Sequence, residues 1–146
     1  METAPQTPPK QSAAPLEMIR ATGRRKTAIA QVVMVPSANG GTVTINHKSL
    51  DEFFGGNGRH AMIAGQVLRL VKGTEKYDFI ITVRGGGLTG QAESIRHGIA
   101  RALSQWDPKT KIQMRKEGFL TRDPRAVERK KSGQPKARKR FQYSKR

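Results

Sequence analysis

Alternating apolar and polar positions predict the strands of this chain. Thr27 to Val35 is rich in apolar and β-branched residues, and Thr42 to Asn46 alternates after the turn-forming sequence Asn39-Gly40-Gly41. This arrangement predicts that the two segments pair as a β-hairpin. Another strand is predicted over Tyr77 to Val83, where every second residue is large and apolar. The buried face of that strand is predicted to carry Tyr77, Phe79, Ile81 and Val83.

Capping residues and apolar periodicity predict the first two helices. Ser49 and Glu52 have the spacing of a capping box, in which side chains satisfy the free amides of the first helical turn. They open a short helix that Gly55 and Gly56 close. A second helix is predicted from His60 to Val71, because its apolar residues recur at intervals of three and four.

The helix that follows the glycine-rich sequence is the best defined element. Its apolar residues form a narrow stripe at 100° per residue, which predicts packing on the sheet. The stripe consists of Ala92, Ile95, Ile99, Ala102, Leu103 and Trp106, and the opposite side carries Glu93, Ser94, His97, Arg101 and Ser104. Asp107-Pro108 ends the helix, since the residue before a proline avoids helical conformation. A short helical piece is predicted over Lys109 to Lys116, and the apolar pattern stops after Phe119-Leu120.

Composition limits the size of the core and the class of protein. The 146 residues suffice for one domain, but 35% apolar and 27% charged residues leave less core-forming material than is usual.

Met1 to Met18 contains four prolines and neither an apolar run nor an arginine, so we expect a disordered extension rather than a targeting segment. No run reaches the length of a membrane span. Without cysteine, disulfides and thiolate metal sites are excluded.

Positive charge is the strongest compositional signal. The 28 lysines and arginines outnumber the 11 acidic residues, which gives a net charge of +17 and favours nucleic acid as the partner. From Pro124 to Arg146 there are ten basic residues and one acid, so we expect this segment to be disordered until phosphates neutralise it. Phe141 and Tyr143 lie among these charges and could stack on unpaired bases. A second basic cluster, Gly23-Arg24-Arg25-Lys26, lies where the first strand is expected to begin.

The glycine-rich sequence Gly85-Gly86-Gly87-Leu88-Thr89-Gly90 fits the G-x-G-x-x-G pattern of dinucleotide-binding loops. Such a fold also needs a second strand ending in an acid that binds the ribose, and here Asp107 is followed by proline and no apolar strand. The pattern therefore favours a tight strand-to-helix turn that requires positive φ. Because Arg84, Arg96 and Arg101 lie beside it, its backbone amides could also meet an RNA phosphate.

Catalytic and metal chemistry find no support in the spacing of the polar residues. His47, His60 and His97 lie in different elements and lack the spacing that places two imidazoles on one helix face. With Arg101 four residues later, His97 is interpreted as a surface residue or a phosphate contact rather than a general base. We therefore predict no catalytic residue, no metal and no cofactor.

Six motifs stand in a characteristic order along the chain: Gly23-Arg24-Arg25-Lys26-Thr27, Gly85 to Ala92, Ile95 to Leu103, Leu120 to Arg125, Glu128-Arg129-Lys130-Lys131 and Ser144-Lys145-Arg146. Together they resemble small-subunit ribosomal protein nine of the bacterial type. The resemblance covers about Ala21 to Arg146 and leaves out residues 1–20. The resemblance implies a small α+β domain, in which helices cover a four-stranded sheet like that of the second domain of ribosomal protein five.

The resemblance also implies a domain division and a set of partners. Residues 1–20 would form a disordered extension, 21–120 the globular RNA-binding domain, and 121–146 an extended basic tail. The protein would lie in the cytoplasm, in the head of the small ribosomal subunit, bound to 16S-type ribosomal RNA (rRNA) and to other head proteins. The tail would reach the anticodon stem-loop of the peptidyl-site tRNA. Neither a membrane nor a small-molecule substrate is expected.

Charge, position and resemblance together predict the contact residues. The predicted rRNA-binding residues are Arg24, Arg25, Lys26, Arg84, Gly86, Gly87, Arg96, Arg101, Arg115, Lys116, Arg122, Arg125, Arg129, Lys130, Lys131, Lys136, Arg138, Lys139 and Arg140. The predicted tRNA-binding residues are Ser144, Lys145 and Arg146. Two alternatives stay open at this point: a nucleotide-dependent small-molecule kinase that uses the glycine-rich sequence, and a basic protein that compacts DNA.

Overall fold

The computed structural model describes residues 18–37 and 40–145. Within these ranges the strands are β1 (Ile19–Arg25), β2 (Ala28–Pro36), β3 (Val43–Ile45), β4 (Lys48–Ser49) and β5 (Tyr77–Arg84). The helices are α1 (Leu50–Phe53), α2 (Gly58–Leu70), α3 (Leu88–Trp106) and α4 (Pro108–Lys116), with a 3₁₀ turn at Thr74–Lys76. No helix of the described residues is both long enough and apolar enough to cross a membrane.

The strands form one mixed sheet in the order β1-β2-β5-β3-β4. β3 runs parallel to β5, and the other neighbouring strands are antiparallel. This confirms the predicted α+β class. The sheet has one strand more than the expected four, since the two-residue β4 pairs with the end of β3.

The predicted hairpin between the second and third strands is wrong. β5 lies between them and pairs along its whole length with β2, from Pro36 opposite Tyr77 to Ile29 opposite Arg84. β3 contributes only three residues, so the long alternating β5 is the better partner for β2. The prediction was based on the turn sequence Asn39-Gly40-Gly41, of which Asn39 lies outside the described residues.

The true hairpin joins β1 to β2 through Lys26 and Thr27. β1 begins at Ile19, so Ile19 and Arg20, which were assigned to the disordered extension, are strand residues paired with Met34 and Val33. The strand was overlooked because IRATGRR contains few apolar residues and buries alanine, glycine and an arginine instead. The remainder of the predicted extension, residues 1–17, lies outside the described residues.

Helices α2 and α3 cover one face of the sheet. The apolar stripe of α3 is buried as predicted, except that Trp106 is only partly buried and meets the ring of Tyr77 at 4.9 Å. Ser94 was assigned to the polar side but is fully buried, where its hydroxyl donates to the carbonyl of Gln91. α3 is thus buried over more of its circumference than the stripe indicates, because β1, β2 and α2 all pack against it.

Local capping predictions hold in the structure. The Ser49 hydroxyl accepts from the Glu52 amide at the start of α1, as the capping-box spacing predicted. α2 begins at Gly58, two residues before the expected start. Asp107 ends α3 and caps α4 by accepting from the Lys109 amide at 2.9 Å. This carboxylate is therefore occupied in helix capping rather than placed to bind a ribose.

Two glycines allow β1 to lie directly on α3. A Cβ atom added to Gly23 would lie 1.9 Å from the Ser94 carbonyl oxygen and 2.4 Å from the Gly98 amide nitrogen. A Cβ atom added to Gly98 would lie 2.6 Å from a methyl group of Val32. Backbone therefore meets backbone at this crossing, and any larger residue would force the strand and helix apart.

Candidate nucleic-acid interface

The glycine-rich sequence is a tight turn packed against the β1–β2 turn. Gly85 and Gly86 have φ of 73° and 68°, which confirms the predicted positive φ. A Cβ atom on Gly85 would lie 2.6 Å from the Thr27 carbonyl oxygen, so only glycine permits this approach. The Gln91 side chain donates to the Gly85 carbonyl at 3.1 Å and holds the turn against α3. The sequence match to a dinucleotide loop thus describes a backbone requirement.

Exposed basic residues from separate parts of the sequence meet at this end of the sheet. Arg24 and Lys26 lie at the β1–β2 turn, and Arg84 ends β5 opposite Ile29. Gly86 and Gly87 are exposed beside them at the start of α3. Strand pairing therefore joins the GRRK cluster and the glycine turn into one basic surface, which we call the sheet-end surface.

A cleft of about 130 Å³ lies between β1, the first half of α3 and the segment that follows α4. Five of the predicted rRNA-binding arginines line it, so the fold brings together residues such as Arg25 and Arg125 that are 100 positions apart. These arginines are Arg24, Arg25, Arg96, Arg122 and Arg125, and two acids, Glu93 and Asp123, lie among them.

Arg25 differs from the other predicted contacts because it is buried. It is only 7% exposed, and its Nε donates to the Glu93 carboxylate. One terminal nitrogen lies 3.0 Å from an Asp123 carboxylate oxygen, and the other donates to the Arg125 carbonyl at 2.7 Å. Its guanidinium is committed to partners within the chain, and the rRNA contact predicted for Arg25 stays a prediction.

Three more predicted arginines have partners within the described residues. Arg96 donates to the Gln66 side-chain oxygen at 2.9 Å and stacks over the Phe119 ring at 5.2 Å. Arg101 donates to the Thr22 carbonyl of β1. Arg138 pairs with Glu128 at 2.6 Å, although both side chains are largely exposed. These contacts orient the side chains and leave Arg101 and Arg138 accessible to a further anion.

Asp123 connects the cleft to the basic tail. It accepts from the Arg125 side chain at 2.6 Å and from the Arg125 amide at 3.0 Å, besides its contact with Arg25. These hydrogen bonds from Arg125 hold the pKa of the Asp123 carboxyl far below its usual value. The carboxylate therefore stays charged at any physiological pH.

His97 was interpreted as a surface residue, but it joins β1 to the segment after α4. Its Nδ1 accepts from the Arg24 amide at 3.2 Å. Burial lowers its pKa below the ordinary 6.5, as do the positive charges of Arg101 and Arg122, while hydrogen bonding to the Leu120 backbone opposes this. The imidazole is thus held neutral, since a protonated Nδ1 could no longer accept from the Arg24 amide.

Because of His97, we expect the free energy of unfolding to fall as the pH drops below about 6.5. Its folded-state pKa is lowered, so the unfolded chain binds the proton at a higher pH than the folded chain does. The stabilisation is complete above the unfolded-state pKa and is lost on acidification through the folded-state pKa. Urea unfolding at a series of pH values measures this dependence.

The matched control for this prediction is His97→Gln, which cannot titrate. Its stability should vary less between about pH 5 and about pH 7.5 than that of the parent protein. His47 and His60 are present in both proteins, so the difference between the two curves belongs to His97. Identical curves would show that His97 does not contribute to the pH dependence.

The remaining predicted contacts in the described residues are exposed. Beyond Arg125 the chain has irregular backbone, with a turn between Glu128 and Arg138 in which the Gln134 amide donates to the Lys131 carbonyl. Phe141 and Tyr143 are 72% and 88% exposed. Arg146 lies outside the described residues. The exposed contacts are Arg24, Lys26, Arg84, Gly86, Gly87, Arg115, Lys116, Arg122, Arg129, Lys130, Lys131, Lys136, Lys139, Arg140, Ser144 and Lys145.

Glu93 and Asp123 were overlooked as functional residues. The sequence gives only a weak signal for them. Acids are scarce in a chain with 28 basic residues, so an acid close to basic residues could have indicated an ion pair within the chain. Asp123 lies within the motif Leu120 to Arg125, and Glu93 lies between the motifs Gly85 to Ala92 and Ile95 to Leu103. In the part of the chain that the structure describes, no three histidine or carboxylate side chains cluster closely enough to hold a metal ion.

Comparison with known proteins shows the family of the chain. Residues 23–146 match the family described as Ribosomal protein S9/S16. The small ribosomal subunit protein uS9 of Anaeromyxobacter sp. (strain K) is 52% identical over 124 residues, which are 85% of this chain and 93% of the relative. The protein of the same name from Anaeromyxobacter dehalogenans (strain 2CP-1 / ATCC BAA-258) gives the same values. The chain therefore belongs to the ribosomal protein S9/S16 family and is a structural, non-enzymatic constituent of the small ribosomal subunit in the cytoplasm, where it serves translation.

Proposed function

We propose that this protein binds 16S-type rRNA in the subunit head through two basic regions. One is the sheet-end surface with the adjoining cleft. The other is residues 126–146, the part of the predicted tail (121–146) beyond Arg125, and the name tail is used for this part from here on. The observation that carries the proposal is the meeting of separate basic motifs at one end of the sheet, where the tail also leaves the domain at Arg125. Neighbouring head proteins complete the proposed set of partners.

The physical basis is the release of condensed counterions. Each lysine or arginine that neutralises a phosphate displaces a cation from the RNA, which favours binding most strongly at low salt. The exposed guanidinium groups can bridge two phosphate oxygens, and the glycine turn can offer backbone amides at the start of α3. These contacts position the protein on the RNA and read phosphate geometry rather than base identity.

We further propose that the end of the tail contacts the peptidyl-site tRNA. Ser144, Lys145 and Arg146 match the terminal motif of the resemblance and carry two positive charges. Ser144 and Lys145 are exposed. Two cations at the end of a tail can approach the sugar-phosphate backbone of an anticodon stem-loop, and their contribution is to tRNA affinity rather than to catalysis.

Deletion of Ser144–Arg146 is the direct test of the tRNA contact. Small subunits that carry the shortened protein are expected to bind peptidyl-site tRNA more weakly, by about tenfold if two exposed ion pairs worth about 0.7 kcal/mol each are lost. Filter binding of tRNA to purified subunits measures this affinity. Co-sedimentation of the protein with the subunit in high salt should be unchanged, since most of the tail remains.

The matched control replaces Lys109 and Lys111 by alanine. Both lysines are exposed on α4, so this variant loses the same two charges from a different place. It should leave tRNA affinity unchanged. Equal tRNA affinity in the deletion variant and the parent would contradict the proposed tRNA contact, whereas failed co-sedimentation of the parent would contradict rRNA binding itself.

Of the two alternatives, the kinase is excluded by membership in a structural, non-enzymatic family. The DNA-compacting protein differs from the proposed function in its choice of polyanion. Equal affinity for duplex DNA and for 16S-type rRNA, at the same salt concentration, would favour that alternative.

A further inference from the structure

We propose that Arg25 is a positioning residue that fixes where the basic tail leaves the domain before any RNA is bound. The segment concerned, residues 118–125, is called the tail root. In the proposed arrangement the tail root is part of the folded body, and the disordered tail begins near residue 126. The tail direction is then set by the protein rather than by the RNA.

The contacts of Arg25 join three parts of the chain. Its Nε binds Glu93 on α3, and its terminal nitrogens bind the Asp123 carboxylate at 3.0 Å and the Arg125 carbonyl at 2.7 Å. The arginine itself is in β1, paired with Ala28 of β2. Strand, helix and tail root therefore share one guanidinium, whose planar fork can serve all three at once.

Further contacts hold the preceding residues of the tail root. The Phe119 amide donates to the Met114 carbonyl of α4, and the Phe119 ring lies under the Arg96 guanidinium at 5.2 Å. Phe119 and Leu120 are partly buried against the core. His97 lies between β1 and Leu120. Apolar burial and ion pairing thus act on the same eight residues.

The burial of these ion pairs distinguishes the tail root from the tail. The Arg25 side chain is 9% exposed, and those of Glu93 and Asp123 are 27% and 31% exposed. In contrast, the tail pair of Arg138 and Glu128 is 82% and 47% exposed. Salt screens exposed pairs strongly and buried pairs much less, so the tail root should stay attached at physiological salt.

Distance measurements by electron paramagnetic resonance test this attachment in the free protein. Because the chain has no cysteine, Gln105→Cys on α3 and Val127→Cys just after the tail root provide two unique spin-label sites. Both positions are exposed. We expect one narrow distance distribution in the otherwise unchanged protein, and a distribution at least twice as wide in Asp123→Asn and in Arg25→Lys.

The two variants and a control label pair distinguish release of the tail root from unfolding of the domain. Arg25→Lys keeps the charge but replaces the fork by a single ammonium within β1, whereas Asp123→Asn leaves the Arg25–Glu93 pair of the body intact. A label pair at Gln105→Cys and Met62→Cys, both outside the tail root, reports on the body and should not change. Glu128→Gln breaks only the exposed tail pair and should keep the narrow distribution. A broad distribution in the parent, or a narrow one in both variants, would overturn the proposal.

A second measurement rests on the proposed rRNA function. Asp123→Asn removes a negative charge, so simple electrostatics predicts tighter binding to 16S-type rRNA. A positioning role predicts several-fold weaker binding with an unchanged salt dependence, because no phosphate contact is lost and only the ordering of the tail becomes costlier. Tighter binding would contradict the positioning role. Absence of rRNA binding in the parent would contradict the proposed function alone, since the distance measurement uses no RNA.

Discussion

A chain that ends at Ala126 is expected to bind 16S-type rRNA with a much weaker salt dependence than the intact protein. The truncation retains the tail root and removes one acid, Glu128, together with Arg129, Lys130, Lys131, Lys136, Arg138, Lys139, Arg140, Lys145 and Arg146. Each phosphate contact contributes roughly 0.7 to 0.9 to the slope of log K against log salt concentration. If every removed cation contacts a phosphate, the slope becomes shallower by roughly 6 to 8.

The affinity of both proteins should be measured between about 50 mM and about 200 mM salt, where a loss of this size changes binding by several orders of magnitude. The matched control carries residues 127–146 in scrambled order, which keeps the charge but changes its placement. That control should keep the steep slope while losing part of its preference for the native RNA. An unchanged slope in the truncated protein would show that the tail does not neutralise phosphates.

Gly23→Ala is expected to destabilise the folded domain more than other single alanine substitutions at glycine. The added Cβ would lie 1.9 Å from the Ser94 carbonyl oxygen and 2.4 Å from the Gly98 amide nitrogen. Both are backbone atoms in the middle of α3, so neither can turn away as a flexible side chain would. Overpacking of this kind costs about 3 kcal/mol, the upper end of the usual range.

Urea unfolding, monitored by circular dichroism, measures the loss in the free energy of unfolding. Gly58→Ala is the matched control, because it adds the same methyl group at the start of α2, where no atom lies within 4 Å. It should be neutral or slightly stabilising, since alanine has the higher helix propensity. If the two variants unfold at the same urea concentration, the close contact between β1 and α3 is not important for stability.

Elements with a strong local signal were predicted correctly from the sequence. The stripe of α3 appears in residues that are neighbours on one helix face, and the Ser49 cap of α1 involves residues three apart. The glycine turn was also recognised, because positive φ at Gly85 and Gly86 is a requirement of the local backbone. In each case the deciding interactions lie within a few residues.

The predictions from the sequence were wrong where contacts between distant segments determine the structure. β1 looks too polar to be a strand until α3 covers Gly23 and the acids of the cleft neutralise Arg25. The hairpin was assigned to the wrong strands because turn residues near position 40 say nothing about β5, which is more than thirty residues away. His97 looked exposed because helical periodicity does not reveal the tail root that packs over it.

The sequence by itself determined the charge, the family and most of the helices, because charge is a sum over residues and motifs and periodicity are local. Only the tertiary structure decided which arginines face solvent and which one holds the tail root. Arg25 and Glu93 are 68 positions apart, and Arg25 and Arg125 are 100 apart. Whether a cation meets a phosphate or a carboxylate of its own chain depends on the path of the backbone, and no local pattern encodes that path.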